Sequence, residues 1–437
     1  MKKFYLESLG CPKNLVDSEH FASILGNAGY QFTSNVIGAD IVFINSCAFL
    51  ASSLEELEAV IDTAVELKKE GKAGMVIVSG CVMNRHADTY KESYPEVDHW
   101  IALKDFDALA NILQSSNTEL RAPIEPGFHT YLRISDGCEN HCSYCKIPSI
   151  RGKLQSVPIE ELVAEARRLA KRPVLSKGGD ARYPKELILI AQDSCLYGMD
   201  IYGRQALPEL IEKLHEIQSF SWIRLMYLHP DHFQTEWISL FKRYSKLLPY
   251  FEIPVQHSET HILKAMNRQK GREELISLFT TIKQELPEAV LRTTLITGFP
   301  GETAKDERAL MSFLESVPLL HMGTFAYSPE DGTPAFNFPE RPSPKTTENR
   351  QNRIETMWYE MQEERLQAYV DQKVSVLVEE AVQGKKGEYR GRAWFQAPEI
   401  DGETIISAQN LHPGNIVDVV IDDVIGNTLF ASLIKED

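Results

Sequence analysis

The chain has 437 residues, of which 43% are apolar and 25% charged, with a formal net charge of −16. That length exceeds one ordinary core and implies two or three domains, while no apolar run reaches the roughly 20 residues of a membrane span. The acidic excess argues against a large nucleic-acid footprint and fits a basic partner. The opening MKKFYLESLGCPKN lacks the apolar stretch of a signal peptide, so it reads as cytoplasmic sequence. Seven cysteines, an odd number without a secretion signal, point to metal binding or catalysis rather than a disulfide framework.

The first third repeats one pattern three times. FYLESLGC, ADIVFINSC and GMVIVSGC are apolar runs resembling buried strands, ending at Cys11, Cys47 and Cys81. The cysteines are 36 and 34 residues apart, close to one strand–helix unit of a parallel sheet. Between the second and third, SSLEELEAVIDTAVELKKEG places Leu54, Leu57, Ile61 and Val65 at helical spacing. Ser53 with Glu56 reads as a capping box and Gly71 as the stop. Strand ends of a doubly wound parallel sheet share one edge, so three cysteines distant in sequence are expected to converge there.

A polar link, QSSNTELRAPIEPG (114–127), marks a boundary. Beyond it come six strand-like runs alternating with helical stretches: HTYLRIS, ELILIAQD, WIRLMYLHP, YFEIPVQH, VLRTTLITGFPG and MGTFAYSP. Six such units predict a partial (β/α)6 barrel rather than the full eight. KRPVLSKGGDARYPKE (171–186) reads as a loop insertion of unassigned role. Five prolines within residues 328–345 make that stretch an extended loop, and a polar helix follows. The tail breaks into short strands punctuated by Gly, Asn and Pro, the pattern of a small β-barrel. Residues 368–437 hold six Lys/Arg against twelve Asp/Glu, a net of −6. The expected fold is therefore α/β, with an N-terminal doubly wound domain (1–115), a central barrel (125–366) and a C-terminal β-barrel (368–437).

SDGCENHCSYCKIPSIRG (135–152) sets Cys138, Cys142 and Cys145 in a C-x3-C-x2-C spacing with no fourth cysteine nearby. A structural zinc site closes with four ligands, whereas a four-iron cluster can be held by three thiolates with one iron open. The loop follows the first barrel strand, at the face where barrel active sites are built. The convergence of Cys11, Cys47 and Cys81 makes a second three-thiolate cluster the expectation for the N-terminal domain.

The C-x3-C-x2-C stretch closely resembles the radical S-adenosylmethionine (SAM) enzymes. In them the open iron is chelated by SAM, and one electron cleaves the sulfonium to give a radical that abstracts hydrogen from an unactivated carbon. Tyr144 matches the aromatic position that lies beside the adenine. Two three-cysteine sites plus a small C-terminal β-domain resemble the methylthiotransferases of that superfamily, whose C-terminal unit is a TRAM domain. IPSIRG, IPVQHSETHILKAMNR, RTTLITGFPGET and FAYSPEDGTPA follow in matching order. LGCPKN (9–14) and AQDSCLYG (191–198) resemble the ribosomal-protein branch (RimO-like) rather than the tRNA branch (MiaB-like), and an acidic tail suits a basic protein substrate.

The resemblance implies two 4Fe-4S clusters, SAM, and methylthiolation of an aspartate β-carbon in small-subunit ribosomal protein twelve. An external one-electron donor and a sulfur donor are implied as well. The alternatives are methylthiolation of tRNA adenosine, or a ribosome-associated iron–sulfur electron carrier without catalysis. SAM contacts are expected at strand ends: Gln192 and Asp193, then Gln256, His257 and Ser258, then Arg292 and Thr294 ahead of the turn with Gly298 and Gly301. His257 reads equally as a satisfied core histidine. Cys195 has no cluster spacing and reads as a bystander. Arg151 and Lys153 read either as contacts for an acidic substrate or as solvent-facing.

Overall fold

The structure, a computed structural model, describes residues 1–116, 120–124, 127–173 and 182–434. Half of the 171–186 insertion and part of the 114–127 link therefore lie outside the described residues. Among these, no helix is long and apolar enough to cross a membrane.

The N-terminal unit is a five-stranded parallel sheet of β1 (Lys3–Ser8), β2 (Gln31–Phe32), β3 (Ile41–Ser46), β4 (Met75–Gly80) and β5 (His99–Trp100), in the order β2-β1-β3-β4-β5. Every residue of β3 is buried, which its unbroken IVFIN run anticipates, since helices cover both faces of a parallel sheet. The strand order reverses between β1 and β3, and such switch points open a crevice at the strand ends. Cys11 and Cys47 follow those two strands. Helix α1 (Pro12–Asn27) starts immediately after Cys11, with proline in its first turn. Helix α2 spans Ala51–Lys69, beginning ahead of the expected Ser53–Glu56 capping box. Ser53 lies inside its first turn, where its N–H donates to the Leu50 carbonyl at 3.0 Å, while Gly71, at φ +70°, follows the helix end as expected.

The central unit holds β6 (His129–Arg133), the short pair β7 (Ser135–Asp136) and β8 (Gln155–Ser156), then β9 (Glu186–Ile190), β10 (Trp222–Leu225), β11 (Tyr250–Glu252), β12 (Val290–Thr297) and β13 (His321–Ala326). Six of these are parallel and run in sequence order around the wall as β6-β9-β10 and β11-β12-β13. A bridge between Ile223 and Leu247 joins the two arcs. Leu187, Leu189, Ile223, Phe251 and Leu291 of the strands and Leu162, Leu210, Phe279 and Phe313 of the outer helices form one core.

The long helix Pro344–Gln367, capped by Ser343 accepting from the Thr346 N–H at 3.1 Å, leads to a closed five-stranded barrel. Its strands are β14 (Lys373–Ala381), β15 (Glu388–Ala393), β16 (Thr404–Ser407), β17 (Ile416–Ile425) and β18 (Thr428–Leu433). This small barrel closes the floor of the large one. Buried Asp401 accepts from the Tyr250 hydroxyl at 2.5 Å and Arg292 Nη1 at 3.2 Å. Arg224 bonds Glu186 at 2.6 Å and the Trp394 carbonyl at 2.9 Å, and Arg392 pairs with Glu186 at 2.8 Å.

Removing the charge of Asp401 would leave Arg292 uncompensated in the floor. We expect Asp401→Asn to destabilise the chain by about 3 kcal/mol, read as a lowered urea midpoint. The pH dependence follows from Glu186. Burial alone would raise its carboxyl, but Arg224 and Arg392 outweigh burial and hold it at about 2 instead of its ordinary 4.5. A depressed carboxylate contributes stability that is present above its unfolded value and lost as pH falls through the folded one. The floor should therefore loosen between about pH 4.5 and 2, visible as a change in tryptophan fluorescence.

Candidate active site and metal centres

The N-terminal thiols are assembled by close approach of three strand ends. Gly10 (φ +86°) precedes Cys11, and a Cβ there would lie 2.7 Å from Cys47 Sγ, so only glycine lets the β1 end meet Cys47. Gly80 (φ +102°) does the same for β4, where a Cβ would sit 2.4 Å from the Ser46 carbonyl oxygen. Buried Asn14 ties the ends together, its side-chain amide donating to the carbonyls of Leu9 (2.8 Å) and Asn45 (3.0 Å). Asn45 answers by donating to the Asn14 carbonyl and the Ser18 hydroxyl, both at 2.8 Å. Cys81 opens a tight turn held by Val82 N–H on Ser46 Oγ at 3.2 Å. Burial pushes the Cys81 thiol up to about 12 and the Cys47 thiol upward too, and the neighbouring cysteines add to each. Cys47 and Cys81 are buried and Cys11 half-buried, all three are unoxidised, and each of the buried thiols feels the charge of Cys11, a donor set suited to a soft, thiophilic metal centre.

The second set is local. Cys138, Cys142 and Cys145 lie on one loop pinned by backbone bonds: Cys138 N–H to the Gly152 carbonyl (3.1 Å), Ser143 N–H to Met266 (3.1 Å) and Ala335 N–H to Ser143 (2.9 Å). Gly137 (φ +71°) is obligatory, since a Cβ would meet the Lys153 carbonyl at 2.0 Å. Burial, reinforced by the other thiols, pushes Cys138 to about 11 and Cys145 to about 12. Again the donors fit an iron–sulfur centre bound through three thiolates.

Around this loop stand several of the residues expected from sequence. Tyr144 packs edge-on to Phe299, and its hydroxyl accepts from Arg268 Nη2 at 2.8 Å. Gln192 donates to Asp136 at 3.0 Å and leaves its amide oxygen buried without a partner. Asp193 accepts from Asn140 of the cluster loop at 2.8 Å and meets His232 Nδ1 at 2.7 Å. Gln256 takes a left-handed φ of +70°, a strained conformation of the kind concentrated at functional sites. His257 is fully buried; its Nδ1 accepts from the Glu259 N–H at 3.0 Å, its Nε2 has no hydrogen-bond partner, and burial pushes it down to about 3.

Other expected residues are not brought to this group. Arg292 sits in the first half of β12 and pairs with Asp401 at the floor. Gly298 accommodates Thr347 of the long helix, where a Cβ would lie 2.1 Å from its hydroxyl. Cys195 is fully buried in the barrel core, and Lys153 is exposed.

Arg151 links the segment of the barrel thiols to the N-terminal thiols across one domain interface. Arg151, six residues past Cys145, ends the helix Ile147–Arg151 and reaches within 3.7 Å of Cys81 Sγ. Its buried guanidinium pairs with Asp17 of α1 and Asp136 of β7, each at 3.2 Å. Arg133 adds a 2.6 Å bond to Asp17, and Lys104 a 2.7 Å bond to Asp136. Asn84 donates to the Ile150 carbonyl at 2.7 Å, and Arg85 pairs with Glu330 at 2.5 Å. Beside Cys11 opens a cavity of about 370 Å³ lined by Glu7, Ser8, Phe32, Tyr131 and Glu399 among others.

Sequence reasoning did not single out Lys13, Asn14, Asn140, Tyr227, His229, His232, Glu252 or Arg268. LGCPKN contains the first two, so proximity to a cysteine was the available signal. The others come from strand ends and loops, where only the fold brings them to the site.

Comparison with known proteins agrees with this architecture. A model described as "Uncharacterized protein family UPF0004" matches residues 3–102, the Radical SAM superfamily matches 132–314, and a TRAM domain matches 370–434. A solved radical SAM methyltransferase, TsrM from Kitasatospora setae, shares the fold at a TM-score of 0.53 and 13% identity over 77% of each chain. The protein is thus a radical SAM enzyme, with an iron–sulfur cluster and SAM as the cofactors of its class. Ribosomal protein uS12 methylthiotransferase RimO of Thermotoga petrophila is 37% identical over 96% of both chains, and that of Clostridioides difficile 36% identical over 100% of both. The chain belongs to this RimO family of methylthiotransferases.

Replacing Arg151 by methionine would leave Asp17 and Asp136 with only part of their counter-charge. We expect Arg151→Met to lower stability by about 2–4 kcal/mol and to loosen iron at the N-terminal set before the barrel set, measured by thermal melting and iron content.

Proposed function

We propose that the chain attaches a methylthio group to the β-carbon of an aspartate in ribosomal protein uS12, using two four-iron clusters. Cys138, Cys142 and Cys145 hold one and Cys11, Cys47 and Cys81 the other. When bound, the barrel cluster with SAM supplies one-electron cleavage of the sulfonium and hence hydrogen abstraction, and the N-terminal cluster supplies the sulfur. Tyr144, its hydroxyl held by Arg268, would stand beside the adenine of bound SAM. Gln192, Asp193, Gln256 and His257 would hold the polar ends of SAM. Arg292, also proposed from its place on β12, acts through the barrel floor. The observation that carries this reading is Arg151, which touches Cys81 while ending the segment that begins with the barrel thiols. Two three-thiolate sets against one interface suit a transfer between them.

The functional units are taken as 1–115, 125–366 and 368–437. The acidic C-terminal unit supports a basic protein substrate over tRNA. An external one-electron donor and a sulfur donor are required, and the setting is cytoplasmic.

Anaerobic reconstitution should give about eight irons per chain, and about four after replacing Cys11, Cys47 and Cys81 together by alanine. Four in the unaltered chain would remove the second cluster. Mass spectrometry of uS12 and tRNA from a deletion strain should show the methylthio mark lost from the aspartate. Loss from tRNA alone refutes the substrate.

A further inference from the structure

Lys13 lies in the first turn of α1, two residues past Cys11, and is 7% exposed. Its side chain crosses from the N-terminal unit to the barrel, where the ammonium sits 3.1 Å from the centroid of the Tyr227 ring. Tyr227 just follows β10 and is held in a left-handed conformation (φ +62°). Its N–H donates to Glu252 at 2.5 Å, and its carbonyl accepts from Ser194, next to Asp193, at 3.0 Å. Lys13 therefore stands between Cys11 and the strand ends that face the barrel thiols.

Its electrostatic situation differs from that of its neighbours. Arg151 and Arg133 have Asp17, Lys104 has Asp136, Arg85 has Glu330 and Arg292 has Asp401. Among the described residues, Lys13 has only the aromatic face: no carboxylate stands at ion-pair distance and no acceptor at hydrogen-bond distance. The nearby carboxylate of Glu252 is turned to the Tyr227 N–H. A cation largely withdrawn from water onto a π-face is favoured by the ring; Cys11, Glu252 and Asp136 act on it only through space, against the like charge of Arg151, and no anion is bonded to it. A ligand that brings a carboxylate completes the site, whereas a neutral one leaves the charge unmatched.

We infer that Lys13 is the specificity-determining residue that pairs with the carboxylate of the substrate aspartate. The inference rests on the uS12 reading above, since the β-carbon to be modified is bonded directly to that carboxylate. Fixing one fixes the other between the two thiol sets. An adenine has no carboxylate to offer, so the same lysine disfavours a nucleoside at this place.

The test is binding of two synthetic peptides to the reconstituted full-length protein under anaerobic conditions. One carries the uS12 aspartate and the other asparagine in its place. The unaltered protein should prefer the aspartate peptide by about 10- to 100-fold. Lys13→Met should abolish the preference by weakening the aspartate peptide alone, with iron content unchanged. Lys13→Arg should keep part of it, and Lys13→Gln serves as the neutral variant if the methionine variant loses iron. A neutral variant with full iron that retains the preference, or weakens both peptides equally, overturns the role of Lys13. If the unaltered protein binds and modifies the aspartate peptide in that experiment, the uS12 reading survives and only the lysine assignment falls. If it binds neither peptide and modifies tRNA instead, the reading falls and takes this inference with it.

Discussion

The guanidinium of Arg151 is the interaction on which the two-site arrangement depends. It is only 6% exposed, lies between Asp17 and Asp136, and touches a thiol of the other domain. Burying a cation against two carboxylates contributes little net stability, because desolvation offsets most of the attraction. Its effect is on register. A domain that slid along the interface would strip buried Asp17 of both Arg151 and Arg133 and take Lys104 from Asp136, at a cost of several kcal/mol. Arg133 and Lys104 extend the same network, so the docking has few alternatives close in energy.

The three-domain order was legible in the sequence because parallel strands buried on both faces read as unbroken apolar runs. The strand-end cysteines could be placed on one edge from topology alone. Arg151 was not legible: read as a substrate contact or a solvent-facing residue, it is buried in an ion-pair network between two domains. Its partners Asp17 and Asp136 lie 134 and 15 residues away, and local pattern carries no information at the longer of those separations. Ser53 shows the opposite failure. Its capping-box spacing with Glu56 is sound local chemistry, but the helix starts at Ala51, so Ser53 falls inside it and cannot cap it. Position on a strand was a coarse guide as well, since Arg292 lies on the expected strand yet turns to the floor.

The C-terminal barrel modifies the argument from charge. Its net of −6 is not all surface field. Asp401 neutralises Arg292 of the large barrel, and Glu379 faces Arg392, whose other partner is Glu186. Part of the tail's acidity therefore belongs to the joint between two domains. Acids directed outward, such as Asp422 and Asp423 on β17, still present negative charge to a partner. The preference for a basic substrate thus rests on fewer residues than the composition implies.

The two thiol sets represent different physical solutions to one problem. The barrel set is local: a short loop, one obligatory glycine and a few backbone bonds fix all three sulfurs, so it needs only the barrel rim to be folded. The N-terminal set exists only while three strand ends are held together by Gly10, Gly80 and the Asn14–Asn45 amides. Loosening that sheet edge separates all three thiols at once. A site built this way is sensitive to the packing of its whole domain, and Arg151 couples that packing to the barrel. The more fragile site is thereby stabilised by docking against the more robust one, which keeps both thiol sets in register across a single interface.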